Sequence, residues 1–283
     1  MNRIHEHTRG RTKNSKRYFF EIFLTLSLIA GTYSCERQTN WTLEESGKIP
    51  VIDAIITNEL KNHEVYFYSS STSLNQAPEG ISGAEIILKA GTNTYTFSEK
   101  NDKAGVYISD EAFRGAAGIE YYLIVIYDNQ SDTAKAELVA ISKLQEMIIV
   151  NYDSAYRYVY YDDSSPSMTY LSYNWSNNTD FCEKYGSCAA TQVFYTINLL
   201  DINQTFAPDK QIISFPKGTT LARAKYSLSD EHQRFIRSLL IETEWRGGIF
   251  DTEQGNVPTN FKHGVQGWFG VCMVLRDTLV FND

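Results

Sequence analysis

Histidine is the first place to look for acid–base chemistry, and this chain has five in 283 residues. His5 and His7 stand in a basic N-terminal stretch, leaving His63, His232 and His263 in the body. A catalytic imidazole needs a nucleophile or a polarised substrate within hydrogen-bond reach, and commonly a carboxylate to orient it. His263 sits in "VPTNFKHGVQGWFGV" (Val257 to Val271), between glycines and aromatic residues, and reads as a loop residue. His232 falls on the apolar side of a helical pattern and is expected to be packed and hydrogen-bonded. His63 stands in a turn, where a solvated imidazole is expected.

The carboxylates give no stronger signal. Asp162 and Asp163 in "YYDDSSPS" form a polar turn, because a calcium loop needs several more spaced oxygen ligands. Glu242 and Glu244 fall on different faces of one helical pattern, which is not the paired arrangement of a glycosidase. There is no G-x-S-x-G, H-E-x-x-H, C-x-x-C or Walker loop, and "FPKGTT" lacks the phosphate-loop spacing. The expectation is a non-catalytic protein without a metal or cofactor. The alternative is a surface hydrolase acting on peptide or glycan through His263 or Asp162.

The Val257–Val271 stretch itself divides in two. "GNVPTN" has turn chemistry, with Gly255 and Asn256 tolerant of positive φ and Pro258 fixing a bend. "GVQGWFGVCMVL" resumes a strand whose glycines let neighbouring backbone pass closely. The functional reading keeps Trp268, Phe269 and His263 as a candidate binding surface, able to stack on a sugar or grip a partner.

Four cysteines set further bounds. Cys35 follows "YFFEIFLTLSLIAGTYS", whose apolar run from Ile22 to Ile29 is short for a bilayer span and is preceded by six Lys/Arg. "GTYSC" resembles a relaxed bacterial lipobox, which makes residues 1–34 a lipoprotein signal peptide and Cys35 the acylated residue. Two or three acyl chains on one cysteine anchor a protein firmly, at roughly 0.8 kcal/mol per buried methylene. Everything after Cys35 is then expected to lie outside the inner membrane, held by lipid. An oxidising compartment would let Cys182 and Cys188 in "FCEKYGSCAA" close a small loop as a disulfide; the wide spacing with no nearby histidine disfavours zinc. Cys272, within "VCMVL", reads as a buried thiol.

Charge narrows the partners. The chain carries 26 Lys/Arg against 34 Asp/Glu. Residues 1–34 hold six of the former and two of the latter, so the remainder has 20 against 32, a net of −12. An acidic body without a basic cluster argues against nucleic acid and against docking on anionic lipid.

The elements that must position these residues are read from periodicity. Residues 35–48 are polar and serve as a tether. From residue 49 the apolar period becomes two: "PVIDAIIT", "EVYFYSSS", "GAEIILKAG", "NTYTFSE", "GVYIS", "EYYLIVIY" and "AKAELVAIS" predict short strands. Both faces of "EYYLIVIY" are apolar, which predicts a strand covered on both sides. The spacing predicts a β-sandwich over 49–144, Ig-like or prealbumin-like. Residues 145–283 predict a second β-rich unit with one α-helix near 229–244. There Ser229 caps the helix and His232, Phe235, Ile236, Leu239 and Leu240 make the core-facing stripe. The tyrosines from Tyr152 to Tyr173 suit a half-buried sheet.

In order and pattern the chain resembles the domain-of-unknown-function 4249 family. The opening "ITNE", "VYFYSSSTSLNQAPEGISGAEIIL", "YTFSEKNDKAGVYIS" and "FRGAAGIEYYLIV" carry the likeness, as do the closing "LSDEHQRFIRSL", "GGIFD" and "GNVPTNFKHGVQGWFGV". The resemblance implies a lipoprotein anchored in the outer membrane, facing either the periplasm or the surface, without assigned enzyme activity and acting as an accessory or binding component beside a TonB-dependent transporter. It transfers no catalytic residue.

Overall fold

In the computed structural model the described residues are 47–71, 76–152, 155–160, 165–198, 212–243 and 257–282. Cys35 with its signal peptide and the tether up to residue 46, the Asp162–Asp163 pair, Glu244, Gly255 and Asn256 all lie outside them. The strands run in chain order β1 (Pro50–Thr57), β2 (Glu64–Ser69), β3 (Glu79–Gly80), β4 (Glu85–Ala90), β5 (Asn93–Glu99), β6 (Val106–Ser109), β7 (Glu120–Tyr127) and β8 (Gln130–Val139). Then follow β9 (Ile148–Tyr152), β10 (Ala155–Val159), β11 (Ser167–Asn174), a short helix α1 (Thr179–Tyr185), β12 (Ala189–Thr196), β13 (Ser214–Phe215) and β14 (Thr219–Ser227). Helix α2 (Asp230–Thr243), β15 (Gln266–Cys272) and β16 (Val274–Phe281) complete the chain.

The fold is mainly β, but the first sheet is not a sandwich. Its order is β1-β15-β8-β7-β4-β5-β6-β2, and β2 pairs again with β1, closing an eight-stranded, barrel-like ring from which β3 projects. Short alternating strands are common to sandwiches and barrels, so their spacing does not choose between them. Edge pairing does. β15 lies parallel to both β1 and β8 and removes the free edge between them.

The period of two sends one face of each strand inward. Ile52, Ala54 and Ile56 of β1, Phe67 of β2, Leu88 of β4, Leu123 and Val125 of β7, and Phe269 and Val271 of β15 share one buried cluster. Each such side chain contributes on the order of 2 kcal/mol by leaving water. The β7 strand departs from expectation: Tyr121, Leu123 and Val125 fill the ring, while Tyr122, Ile124 and Ile126 on its outer face are only half-buried. A closed ring has one dry side, and at β7 no described element fully covers the other. Asp128 and Asn129, at φ 50° and 58°, supply the two left-handed residues that turn β7 back into β8.

Residues 145–283 build a four-stranded antiparallel sheet, β12-β11-β14-β16, and a three-stranded one, β13-β10-β9. Leu171, Tyr173, Trp175, Phe215 and Leu221 form their shared core, with Tyr156, Tyr158 and Phe194 packed around it. The expected boundary near residue 144 divides the sequence, but space interleaves the two stretches: β15 completes the first sheet, and only Met273 separates it from β16 in the second. Residues Gly47–Asp283 make one compact unit.

Two elements were not legible from the pattern. β14, "TTLARAKYS", places Arg223 and Lys225 at inward positions, so its alternation is masked by charge. Arg223 is neutralised by Asp277 of β16, with Nε donating at 2.9 Å, and also reaches the Tyr158 hydroxyl and the Gln145 carbonyl. Helix α1 lies where a loop was expected. Asn178 caps it by accepting from the Phe181 N–H at 3.0 Å, and Gly186 ends it in the left-handed region at φ 68°. Cys182 on this helix is joined to Cys188 as a disulfide.

Candidate functional site: an apolar groove beside the barrel

The outward face of the ring at β2, β1 and β15 is a patterned surface. Register places Asp53 of β1 between Tyr66 of β2 and Trp268 of β15, and Val51 between Tyr68 and Gln266. Helix α2 lies over one side of it. Its ring-facing residue His232 stacks on Trp268 with centroids 5.4 Å apart, and Phe235 stacks on the same indole at 4.8 Å. Gly270 gives the helix its close seat, since a Cβ there would stand 2.9 Å from the Ile55 side chain and 3.2 Å from the His232 ring. From the other side β11 and β12 bring Met168, Tyr170 and Tyr195.

These elements enclose a groove of about 640 Å³, lined chiefly by Val51, Ile55, Met168, Phe235, Ile236, Leu239 and tyrosine rings, with Val257 and Pro258 also on its wall. That volume suits a small organic molecule. Asp53 is the groove's carboxylate. Its side chain keeps contact with solvent, yet the apolar walls raise its pKa above the ordinary carboxylate value. Its charge in turn helps to raise the Tyr68 and Tyr170 hydroxyls, after the larger effect of their own burial. Among the described residues no hydrogen bond or ion pair engages the Asp53 carboxylate.

The candidate residues read from sequence are separated. Trp268 is on the groove wall and 7% exposed, and its buried Nε1–H meets no acceptor among the described residues. Phe269, one position on, points into the ring and is fully buried, so it cannot share a surface with Trp268. Successive strand residues face opposite sides. His263 is exposed in the loop between Val257 and β15.

That loop has a structural task. β8 and β15 form a ladder only at Val271–Leu138 and Cys272–Val139, and the loop seals the rest of the seam. The buried Asp132 carboxylate of β8 accepts the N–H groups of Lys262 at 2.8 Å, His263 at 2.9 Å and Val265 at 3.1 Å. The Asn260 amide acts as a substitute strand: Oδ1 accepts from the Phe269 N–H, while Nδ2 donates to the Phe269 and Lys135 carbonyls. Gly267, at φ 93°, lets β15 press against β1, where a Cβ would lie 1.9 Å from the Ile52 carbonyl oxygen.

Unlike His263, both His63 and His232 are buried. His63 is 1% exposed rather than solvated: Nε2 meets the Phe113 carbonyl at 3.1 Å and the ring tilts against Phe113. Burial lowers its pKa to about 4. His232 is likewise lowered to about 4 by burial, and its Nδ1 lies 3.8 Å from the Cys272 thiol. Burial pushes that thiol up to about 12, so it stays protonated and unreactive at neutral pH. Among the described residues no cluster of three metal-ligating side chains occurs.

Comparison with known families decides the affiliation. A family described as "Domain of unknown function (DUF4249)" matches residues 36–278. The chain belongs to this family. The match covers the ring, both further sheets and the groove, so all three are parts of the DUF4249 domain in this chain. No curated protein matches the chain.

Proposed function

We propose that this DUF4249 protein is a lipid-anchored, non-catalytic binding component of the bacterial outer membrane, held by acylated Cys35 and working beside a TonB-dependent transporter. The groove carries the binding part of this reading: a ligand-sized apolar recess with one carboxylate and a ring of tyrosines is built to hold a molecule. Two histidines are buried as neutral groups against a carbonyl and a thiol, which suits packing better than proton transfer. The anchoring part is supported by the h-region and "GTYSC", directly ahead of the residue where the family match begins. The hydrolase alternative draws no support from the described residues, because His263 is an exposed residue of the seam loop and Asp162 lies outside them.

The test is mild crosslinking in intact cells followed by purification from detergent-solubilised membranes. The expected result is recovery of a large β-barrel in near-equal amount, lost when Cys35→Ala releases the protein from lipid. Recovery of the lipoprotein alone would overturn the transporter partnership. Equal palmitate labelling of the wild type and the Cys35→Ala form would overturn the anchor.

A further inference from the structure

We infer that the groove takes a small amphiphilic organic cation, with its ammonium group on Asp53 and its apolar body along Val51, Met168 and Phe235. The inference rests on reading the groove as a ligand site and adds the charge and class of the ligand.

Charge complementarity carries it. Among the described residues the groove lining holds two titratable groups other than tyrosine, Asp53 and His232. His232 is neutral at physiological pH because burial depresses it. The lining therefore bears one negative charge, and no described cation cancels it. Lys61 shares a neighbouring recess with Asp53, but its ammonium is engaged by Glu59 at 3.2 Å. Lys100, the partner of Glu64 in that recess, is likewise engaged. The apolar walls partly desolvate this exposed carboxylate and raise its pKa, and a counter-charge from solution favours its ionised form.

The surroundings select the kind of cation. A hard metal ion demands several oxygen ligands, and among the described residues Asp53 is the one carboxylate in the groove. Tyrosine rings attract an ammonium through their faces, and Tyr68 and Tyr170 stand within electrostatic reach of Asp53. The aliphatic and aromatic walls then reward an apolar body rather than a sugar, which would need polar partners along its length. A primary or quaternary amine on a phenylalkyl-sized frame meets all three conditions.

Isothermal titration calorimetry on the full chain in a nonionic alkyl glycoside detergent, which carries no ammonium group, referenced to protein-free micelles, tests this with three matched probes: 4-phenylbutylammonium, 4-phenylbutanol and 4-phenylbutanoate. The expected order is ammonium at least tenfold tighter than alcohol, with the carboxylate weakest. Asp53→Asn, at an exposed position that tolerates an isosteric amide, is expected to bring the ammonium to the affinity of the alcohol and leave the alcohol unchanged. Equal binding of alcohol and ammonium by the wild type would overturn the cation preference while leaving the groove a ligand site. An ammonium preference that survives Asp53→Asn would overturn the role of Asp53. If none of the three probes binds, the reading of the groove as a ligand site falls as well.

Discussion

Asp132 shows how much a single side chain can organise. Three loop N–H groups converge on its buried carboxylate, and a fourth comes from its own neighbour Thr133 at 2.7 Å. Removing the acceptor strands buried donors, each costing about 1–3 kcal/mol. Asp132→Ala is therefore expected to destabilise the protein by roughly 3 kcal/mol or more in urea unfolding. Asp132→Asn, which retains one carbonyl oxygen, should lose about half as much. A change below 1 kcal/mol for the alanine variant would show that the seam does not depend on this anchor. The histidines make a second residue-scale prediction. His63 and His232 titrate near 4 in the fold against 6.5 when exposed, so the unfolded chain binds more protons between those values. Stability is then full above about pH 7 and falls as pH drops from 6.5 toward 4, by on the order of 2 kcal/mol per histidine. His63→Gln should roughly halve that slope in unfolding experiments between pH 7 and 4.5. Glu59 adds a separate loss at lower pH, because its hydrogen bond from Arg276 holds its pKa at about 2 against 4.5.

At the scale of elements, β15 matters most. It fills the gap between β1 and β8, and its inward Phe269 is fully buried. Phe269→Ala should cost about 3–5 kcal/mol through lost transfer and a retained cavity. A fragment of residues 47–144 has seven ring strands but lacks the eighth, which leaves β1 and β8 with open edges facing the gap. That fragment is expected to lack fixed tertiary packing, seen as poor dispersion in amide NMR spectra and dye binding to exposed apolar surface. A well-dispersed, monomeric spectrum from it would show that the ring closes without β15. Sequence reading found the strand at β15 but placed it in the second unit. A local pattern reports which face of a strand is apolar and carries no information about its neighbour across a hundred or more residues. β14 was missed for a different reason, since Arg223 and Lys225 occupy inward positions that become tolerable only with Asp277 and the Ser142 hydroxyl in place.

For the whole molecule, the direct passage from β15 through Met273 into β16 couples the ring to the four-stranded sheet. Thermal or urea unfolding of residues Gly47–Asp283 is expected to give one transition, with tryptophan fluorescence and far-ultraviolet dichroism coincident. Trp175 lies in the core of the two smaller sheets and Trp268 on the ring, so fluorescence reports both. Two resolved transitions would mean that the strand junction transmits no cooperativity. The groove is itself a product of this coupling, because its walls come from the ring, α2 and the four-stranded sheet together.

The sequence by itself determined the β class, most strands with their inward residues, the position of α2, and the family likeness. These follow from periods of two and 3.6 and from local capping, which are properties of short stretches. The tertiary structure alone decided that the first sheet closes as a ring, that His63 is buried, that Phe269 and Trp268 serve opposite faces, and that Asp53 stands in a groove with no partner among the described residues. Each of those depends on which distant segment lies alongside. Such long-range neighbours are chosen by edge pairing, desolvation and register over the whole chain, and no local pattern of residue types encodes them.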